Sequence, residues 1–246
     1  MRYGKSCGLI FIACVLGVTN LVLAKDTQSL YTAVMTAERQ ETMTPQQALQ
    51  RLKDGNQRFM DGKMKRRDLL AQSNATASKQ YPVVVVLNCI DSRAPTEIIF
   101  DQGVGDVFAT RIAGNVQNDD VLGSMEFGTK LAGAKLIAVI GHTSCGAIRG
   151  ACQQVKLGHL TGLLQKIQPA VKQAAKEEGT NDCDNAVFIN QIAKDNVLLV
   201  MKQIQSRSPV MSKLIKEGKL GIVGGMQDIS TGKVTFFDDQ SIMPKS

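Results

Sequence analysis

Tryptophan is absent from this chain of 246 residues, histidine occurs twice and proline six times. Eight Phe and three Tyr make up the aromatic complement, so the stacking rings that a nucleic-acid surface interleaves with basic side chains are scarce. After residue 24 no apolar run approaches the roughly 20 residues needed to span a bilayer, which excludes a polytopic membrane protein. Six cysteines are too few for a disulfide scaffold of this size. No two of them form a C-x-x-C pair, which argues against a thiol–disulfide oxidoreductase. No internal repeat, low-complexity tract or Pro/Ser/Gly linker divides the chain. What remains is an ordinary globular composition, 43% hydrophobic and 21% charged, whose site chemistry must draw on a short list of side chains.

The N-terminus stands apart. Arg2 and Lys5 precede an apolar stretch from Cys7 to Leu23, and Val22-Leu23-Ala24 places small or branched residues just before Lys25. This is the three-part layout of a secretory signal peptide over residues 1–24, and it predicts export with cleavage after Ala24. An uncleaved anchor is the alternative; a lipoprotein at Cys14 fits less well, because too little apolar sequence precedes it. A bacterial periplasm is the leading compartment. Removal of the segment takes two basic residues and two cysteines with it. The net charge drops by two, from +7 to +5, and Cys89, Cys145, Cys152 and Cys183 remain. The densest basic patch, Lys63-Met64-Lys65-Arg66-Arg67, reads as a solvated face or loop.

Residues 25–43 are polar with mixed signals and read as a flexible leader or arm. Thr44-Pro45-Gln46-Gln47 then supplies a capping-box start, and the apolar face of Leu49, Leu52 and Phe59 runs to Asp61-Gly62. Val83–Leu87 is a continuous β-branched run suited to a strand buried on both faces. Further strands are expected at Val107–Ala113 and Leu136–Ile140, and a helix from about Asn118. Helical patterns follow at Cys145–Val155, Leu160–Glu177 and about Ala186 to Ile204. Leu220–Met226, a tight turn at Ser230–Lys233 and Val234–Phe237 close the chain as strand, turn and strand. The whole predicts a single α/β domain over 44–246. Its sheet is mainly parallel with flanking helices and an antiparallel edge strand, preceded by an N-terminal helical arm.

Cys89 falls just past the end of the first buried strand, and His142 and Cys145 just past the third. If the strand order begins 2-1-3, these loops meet where the order reverses, the place where open α/β sheets bind ligands. Two thiolates and an imidazole make a three-ligand zinc set with a fourth position open, the layout of a catalytic site. Cys145 also opens a helix, where the dipole favours thiolate. Asp91, two residues from Cys89, points the same way in an extended segment, and Arg93 can grip its carboxylate in a fork. Either thiol alone could be a buried hydrophobe and His142 a core histidine; their joint placement makes that reading weak.

Cys89-x-Asp91-Ser92-Arg93 with His142-x-x-Cys145-Gly146 resembles the metal signature of the β-class carbonic anhydrases. The likeness continues through Phe100-Asp101-Gln102-Gly103-x-Gly105-Asp106-x-Phe108, Arg111-x-Ala113-Gly114-Asn115, Gly123-Ser124-Met125-Glu126-Phe127 and Thr231-Gly232-Lys233-Val234, so it covers roughly residues 44–237. The resemblance implies one zinc per chain on Cys89, His142 and Cys145, and a catalytic dyad of Asp91 and Arg93. Gln80, nine residues ahead of Cys89, matches the Gln-bearing subgroup with water on the metal. The other subgroup carries a Trp where this chain has Val86. Phe108 and Phe127 match aromatic positions of the family's apolar substrate pocket, Gly146 belongs to the same pocket, and Gln80 reaches in from a dimer partner. Ile90 and Met226-Gln227 depart from the family's usual residues there.

The implied reaction is reversible hydration of CO2 to bicarbonate and a proton by zinc-bound hydroxide. Zinc lowers the pKa of bound water from 15.7 to about 7, a figure established on carbonic anhydrase itself, and two thiolates in place of imidazoles argue for a higher value here. Asp91 orients the hydroxide and Arg93 holds Asp91 ionised and off the metal. The competing readings are a carbonyl sulfide or carbon disulfide hydrolase on the same fold, and a non-enzymatic periplasmic zinc-binding protein. The expected partners are CO2 and bicarbonate and a second copy of the chain, as a dimer or dimer of dimers, with no nucleic acid and no lasting membrane insertion. Cys152 reads as plainly buried, with pairing to Cys183 as the alternative. His159 reads as a surface residue near a helix start.

Overall fold

The computed structural model describes Met1, Gly4 and residues 29–244. The expected signal peptide and its cleavage site, and residues 25–28 of the expected leader, therefore lie outside the described residues. In chain order the described residues form α1 (Ala37–Thr42), α2 (Pro45–Met60), α3 (Leu69–Thr76), β1 (Val84–Asn88), α4 (Thr96–Ile99), β2 (Val107–Arg111), α5 (Asp119–Glu126) and β3 (Leu136–His142). There follow α6 (Gly146–Cys152), α7 (Gly158–Gln165), α8 (Gln168–Glu178), α9 (Ala186–Arg207), α10 (Pro209–Lys216), β4 (Gly221–Gln227) and β5 (Val234–Phe236). No helix among them is long and apolar enough to cross a membrane.

The expected elements form for the expected reasons. At α2, Thr44 Oγ1 accepts from Gln47 N at 3.2 Å while Gln47 Oε1 accepts from Thr44 N at 2.9 Å, with Pro45 in the first turn, where no N–H is needed. Every residue of β1 and β3 is buried, as their apolar runs require. The sheet order is β2-β1-β3-β4-β5, parallel except for the β4/β5 pair at its edge. The α/β reading thus holds, including the 2-1-3 start: the chain leaves β1 for β2 on one side and returns to β3 on the other. Alternate strand residues feed two cores. Val85, Leu87, Ile137 and Val139 pack with α5, α9 and α10, while Val84, Val86, Ala138 and Ile140 pack with α2 and Phe100. A third core at the carboxyl end of the sheet joins α6, α7, α8 and α9 around Cys89 and Cys145.

Four sequence expectations change. Leu160–Glu177, expected as one helix, is two: Pro169 clashes with the carbonyl four residues back, at Gln165, and α7 ends there. The stretch 31–43 is not a flexible leader. Met35 is buried, and the buried Gln40 amide donates to Pro82 O at 2.7 Å and Ala132 O at 2.8 Å, which ties α1 to the domain. The basic patch is not wholly solvated either. The Arg67 side chain is buried against Asp101, which Arg58 Nε also reaches at 2.5 Å, so the Phe100–Asp106 motif encloses a buried ion cluster. Cys152 and Cys183 are joined in a disulfide, their Cα atoms 5.7 Å apart, rather than Cys152 being merely buried.

Candidate metal centre

The switch point between β1 and β3 brings the two strand-end segments together. Cys89 follows β1, His142 ends β3, and Cys145 caps the N-terminus of α6. Their three donor atoms lie within 4.8 Å of one another, all three residues are buried, and the two sulfurs are 4.0 Å apart. Among the described residues they are the one such group of three.

Each ligand is held by its backbone. Cys89 N donates to Asn88 Oδ1 at 2.8 Å, its carbonyl accepts from Arg111 Nε at 3.0 Å, and its sulfur accepts from Gly114 N at 3.3 Å. Gly114 can aim that N–H because it sits at φ 65°, and a Cβ there would come within 2.7 Å of Ile167 Cδ1. Asn196 on α9 fixes the same turn by donating to Gly114 O at 2.8 Å. Between His142 and Cys145 the chain turns through Ser144 at φ 55°, whose N–H reaches Asn190 Oδ1 of α9 at 3.1 Å.

The His142 ring settles its own tautomer. Its Nδ1 faces the Thr143 carbonyl at 2.9 Å, which is an acceptor, so the proton belongs on Nδ1. Nε2 is then a lone pair, buried, with no hydrogen-bond partner and facing the two sulfurs. An unpartnered buried nitrogen beside two thiols is what a soft cation would satisfy, and a donor set of two sulfurs and one imidazole nitrogen suits zinc. The charges concur. The hydrogen bond from the Cys145 thiol, with the His142 ring and Gly114 N–H, pulls Cys89 down to about 4 against the burial that raises it. That same hydrogen bond, burial and the Cys89 charge push Cys145 up. A divalent cation held by these residues would reverse the second effect, since a coordinating thiol loses its proton. Burial acts downward on His142, but its contacts with Cys89 and the Thr143 carbonyl outweigh it and raise the ring's pKa.

Asp91 and Arg93 form the pair expected of them. Arg93 Nε donates to Oδ1 at 2.9 Å and Nη2 to Oδ2 at 2.8 Å, and Arg93 N adds a third bond to Oδ1 at 3.0 Å. These bonds hold the Asp91 carboxyl well below the usual carboxylate range, although burial opposes them. Both oxygens are engaged, yet Oδ2 stands 3.8 Å from His142 Nε2, at the edge of the donor group. Gly146 lines the cavity of about 280 Å³ that opens onto Cys89 and Asp91, with Ala113 and the exposed Ile90.

Gln80, Phe108 and Phe127 do not line that cavity within one chain. Phe108 pairs with Val85, four residues before Cys89, or roughly 13 Å along the strand. It packs edge-to-face on Phe127 at 6.1 Å between centroids, and Phe127 remains exposed. Gln80 is exposed before the far end of β1. Met226 faces a different cavity, and the buried Gln227 donates to Arg93 O at 3.4 Å. His159 is exposed at the start of α7, outside the cluster.

Sequence reasoning gave no role to Arg111, whose Nε holds Cys89 O and whose Nη2 holds Asp91 O at 2.5 Å. A signal existed: Arg111 ends β2 opposite Asn88, so the 2-1-3 order already placed it beside Cys89. Asn88, Asn190 and Asn196 carry no signal, because their partners are distant in sequence or are backbone atoms.

Comparison with known proteins agrees with this geometry. The carbonic anhydrase family model matches residues 84–234. Carbonic anhydrase 2 of Mycobacterium tuberculosis is 34% identical over 200 residues, 79% of this chain and 93% of that protein. The carbonic anhydrase of Mycolicibacterium smegmatis is 32% identical over 202 residues, 77% and 92% of the two chains. Among solved structures, one of two tetrameric β-carbonic anhydrases of Sordaria macrospora superposes with a TM-score of 0.61 at 25% identity, covering 67% of this chain and 84% of that one.

Proposed function

The chain belongs to the β-class carbonic anhydrases and catalyses the reversible hydration of CO2; on that premise we propose that it does so as an exported, periplasmic enzyme, with one zinc per chain, assembled as a homodimer or a dimer of dimers. The observation that carries the site assignment is the buried group of Cys89, His142 and Cys145 with its unpartnered Nε2. When bound there, zinc supplies the Lewis acidity that makes water a nucleophile near neutral pH. The other roles fall to side chains. Asp91, kept ionised by Arg93, accepts the proton of the attacking oxygen's O–H in a hydrogen bond and so turns its lone pair toward the carbon of CO2. Because Arg93 occupies both carboxylate oxygens, Asp91 stays off the metal, as in the Gln-bearing subgroup. Arg111 fixes the backbone of Cys89 and Asp91, setting nucleophile and ligand in one frame. Gly146 leaves room for the substrate.

The export reading rests on residues 1–24 and is supported by the Cys152–Cys183 disulfide, which suits an oxidising compartment. The assembly reading is supported by the free edge of β2. Beside it the exposed Leu69, Ile98 and Val104 line an apolar cavity of about 480 Å³, and Phe127 and Leu131 stand exposed. A second copy covering this face brings Gln80, Phe108 and Phe127 to the partner's substrate, the role the single chain denies them in its own site.

The test is stopped-flow CO2 hydration by residues 25–246 across pH 6 to 9, with zinc and molar mass measured on the same sample. Activity proportional to zinc, reaching its plateau at one per chain in a dimer or larger, supports the reading. A folded, fully loaded protein that is inactive at every pH discards it. Recovery of the chain from the periplasmic fraction with Lys25 as its first residue tests the export reading separately.

A further inference from the structure

The geometry points to a specificity-determining wall of the active-site cavity: Gly150 of α6 with Leu160 and Leu164 of α7 sets the size and apolarity of the chamber that receives CO2. The inference rests on the hydration reading and deepens it. The chamber's lining is of two kinds: Cys89 and Asp91 bring charge and chemistry, whereas Gly150, Leu160 and Leu164, farther along the chain on α6 and α7, bring no polar side-chain atom. An uncharged linear solute is retained against such a wall by apolar contact alone. Bicarbonate, the charged product, finds no donor there and leaves.

The glycines carry the argument further. Gly146 and Gly150 both lie in α6, where glycine is a poor helix former. Neither has a positive φ, so the backbone does not need glycine at either place. Neighbours do not need it either. A Cβ at Gly146 would meet nothing within 4 Å, and one at Gly150 would sit 3.5 Å from Leu164 Cδ1, an ordinary van der Waals contact. What the two missing side chains leave is the chamber itself. The wall is firmly set: Leu164 is buried in the core that includes Ile148 and Ile167, and Gln168 Nε2 ties the start of α8 to Ala151 O of α6 at 2.6 Å. Leu160, half-buried, and the exposed Ile90 line the same chamber.

Gly162 provides a control, since it lies in α7, an added Cβ there would meet nothing within 4 Å, and it does not line the chamber. The zinc-loaded wild type, Gly150→Ala, Leu160→Gln and Gly162→Ala are compared in CO2 hydration kinetics, metal content, circular dichroism and xenon binding, xenon being a probe of dry apolar cavities. The wall predicts that wild type and Gly162→Ala bind xenon at the chamber, while Gly150→Ala and Leu160→Gln lose it. Both lose at least about threefold in kcat/KM, mainly through KM, as expected for one methylene's worth of apolar contact. Metal content and the pH midpoint stay at wild-type values. Unchanged kcat/KM in both wall variants overturns the inference, whether or not xenon binding is lost. If the loaded wild type hydrates no CO2, the hydration reading fails instead, and xenon binding alone still decides whether the chamber exists; its absence from wild type overturns the wall.

Discussion

The Cys152–Cys183 disulfide lends itself to a quantitative test. It closes a loop with a sequence separation of 31 that contains all of α7 and α8 and so fastens the chamber wall to the end of α6. The chain-entropy relation gives about 3.7 kcal/mol at 25 °C for a loop of that length. The native state needs little of this constraint to keep its shape. Arg149 Nη1 of α6 donates to Cys183 O at 3.0 Å and lies 3.5 Å from Asp184 Oδ1, so the same loop is gripped by a second, non-covalent tie. Removing the bridge therefore acts mainly on the unfolded chain, and the loss should approach the full entropic value. For a domain of this size that is a fall in Tm of roughly 7–15 °C. The perturbation is Cys152→Ser with Cys183→Ser, because a reductant would also act on the ligand thiols and a single substitution would leave a stray thiol. The assay is thermal and urea unfolding of the zinc-loaded pair, with metal content followed in parallel. Expected are the lowered Tm and midpoint, full metal at 25 °C, and unchanged CO2 hydration at that temperature. A Tm within 2 °C of wild type would refute the entropic account, and loss of metal from a still-folded variant would show that the bridge shapes the native site directly.

Further predictions concern separate parts of the molecule. Arg93→Ala frees a carboxylate whose Oδ2 already stands 3.8 Å from His142 Nε2, so Asp91 should become the fourth ligand and hydration should fall about 10–100-fold; absorption of the cobalt-substituted variant reads the change, and a wild-type spectrum with full activity sinks the dyad. Asp195 is pushed up to about 6 by burial and then by the nearby Glu177 charge, with Gln191 and Lys194 opposing. A folded-state pKa above the unfolded one of about 3.9 makes the folded protein bind the proton more tightly, so stability falls as pH rises from about 4 to 6. Asp195→Asn should thus stabilise at pH 8 by on the order of 1 kcal/mol, after allowance for solvent screening, and change little at pH 4; equal effects at both pH values in urea melts would contradict it. Gly55→Ala would place a Cβ 1.8 Å from Phe100 O, so α2 must shift away from the C-terminal end of α4, at a cost of about 3 kcal/mol or more; a variant with wild-type urea midpoint would show that contact to be unimportant.

What could be read from the residues was local or periodic. Val83–Leu87 and Leu136–Ile140 announce buried strands because a short unbroken apolar run rich in Val and Ile suits a strand covered on both faces. Thr44–Gln47 announces a helix start because its side chains answer that turn's own N–H groups. The candidate metal group of Cys89, His142 and Cys145 and the Asp91–Arg93 pair were legible because ligand chemistry restricts residue type and strand ends restrict position. The short α1, α3, α4 and α10 were not, since four to eight residues carry too little periodicity to stand out.

Tertiary structure decided the rest. Whether Cys152 met Cys183 depended on where α9 begins relative to the end of α6, a matter of packing and not of spacing. Arg111, Gly114 and Asn196 became part of the metal centre only when β2 and α9 closed on the Cys89 loop. The cavity beside Cys89 likewise forms only because the chain reverses between α6 and α7, through Gln154 at φ 55° and Gly158 at φ 40°, and brings Leu160 and Leu164 against Gly150. Sequence by itself determined which atoms can bind a metal and which segments carry them, because those properties belong to single side chains and short repeats. Distances among segments far apart in the chain depend on the whole core minimising its exposed apolar surface, and that is why the cavity, the disulfide and the supporting hydrogen bonds appear only in the folded molecule.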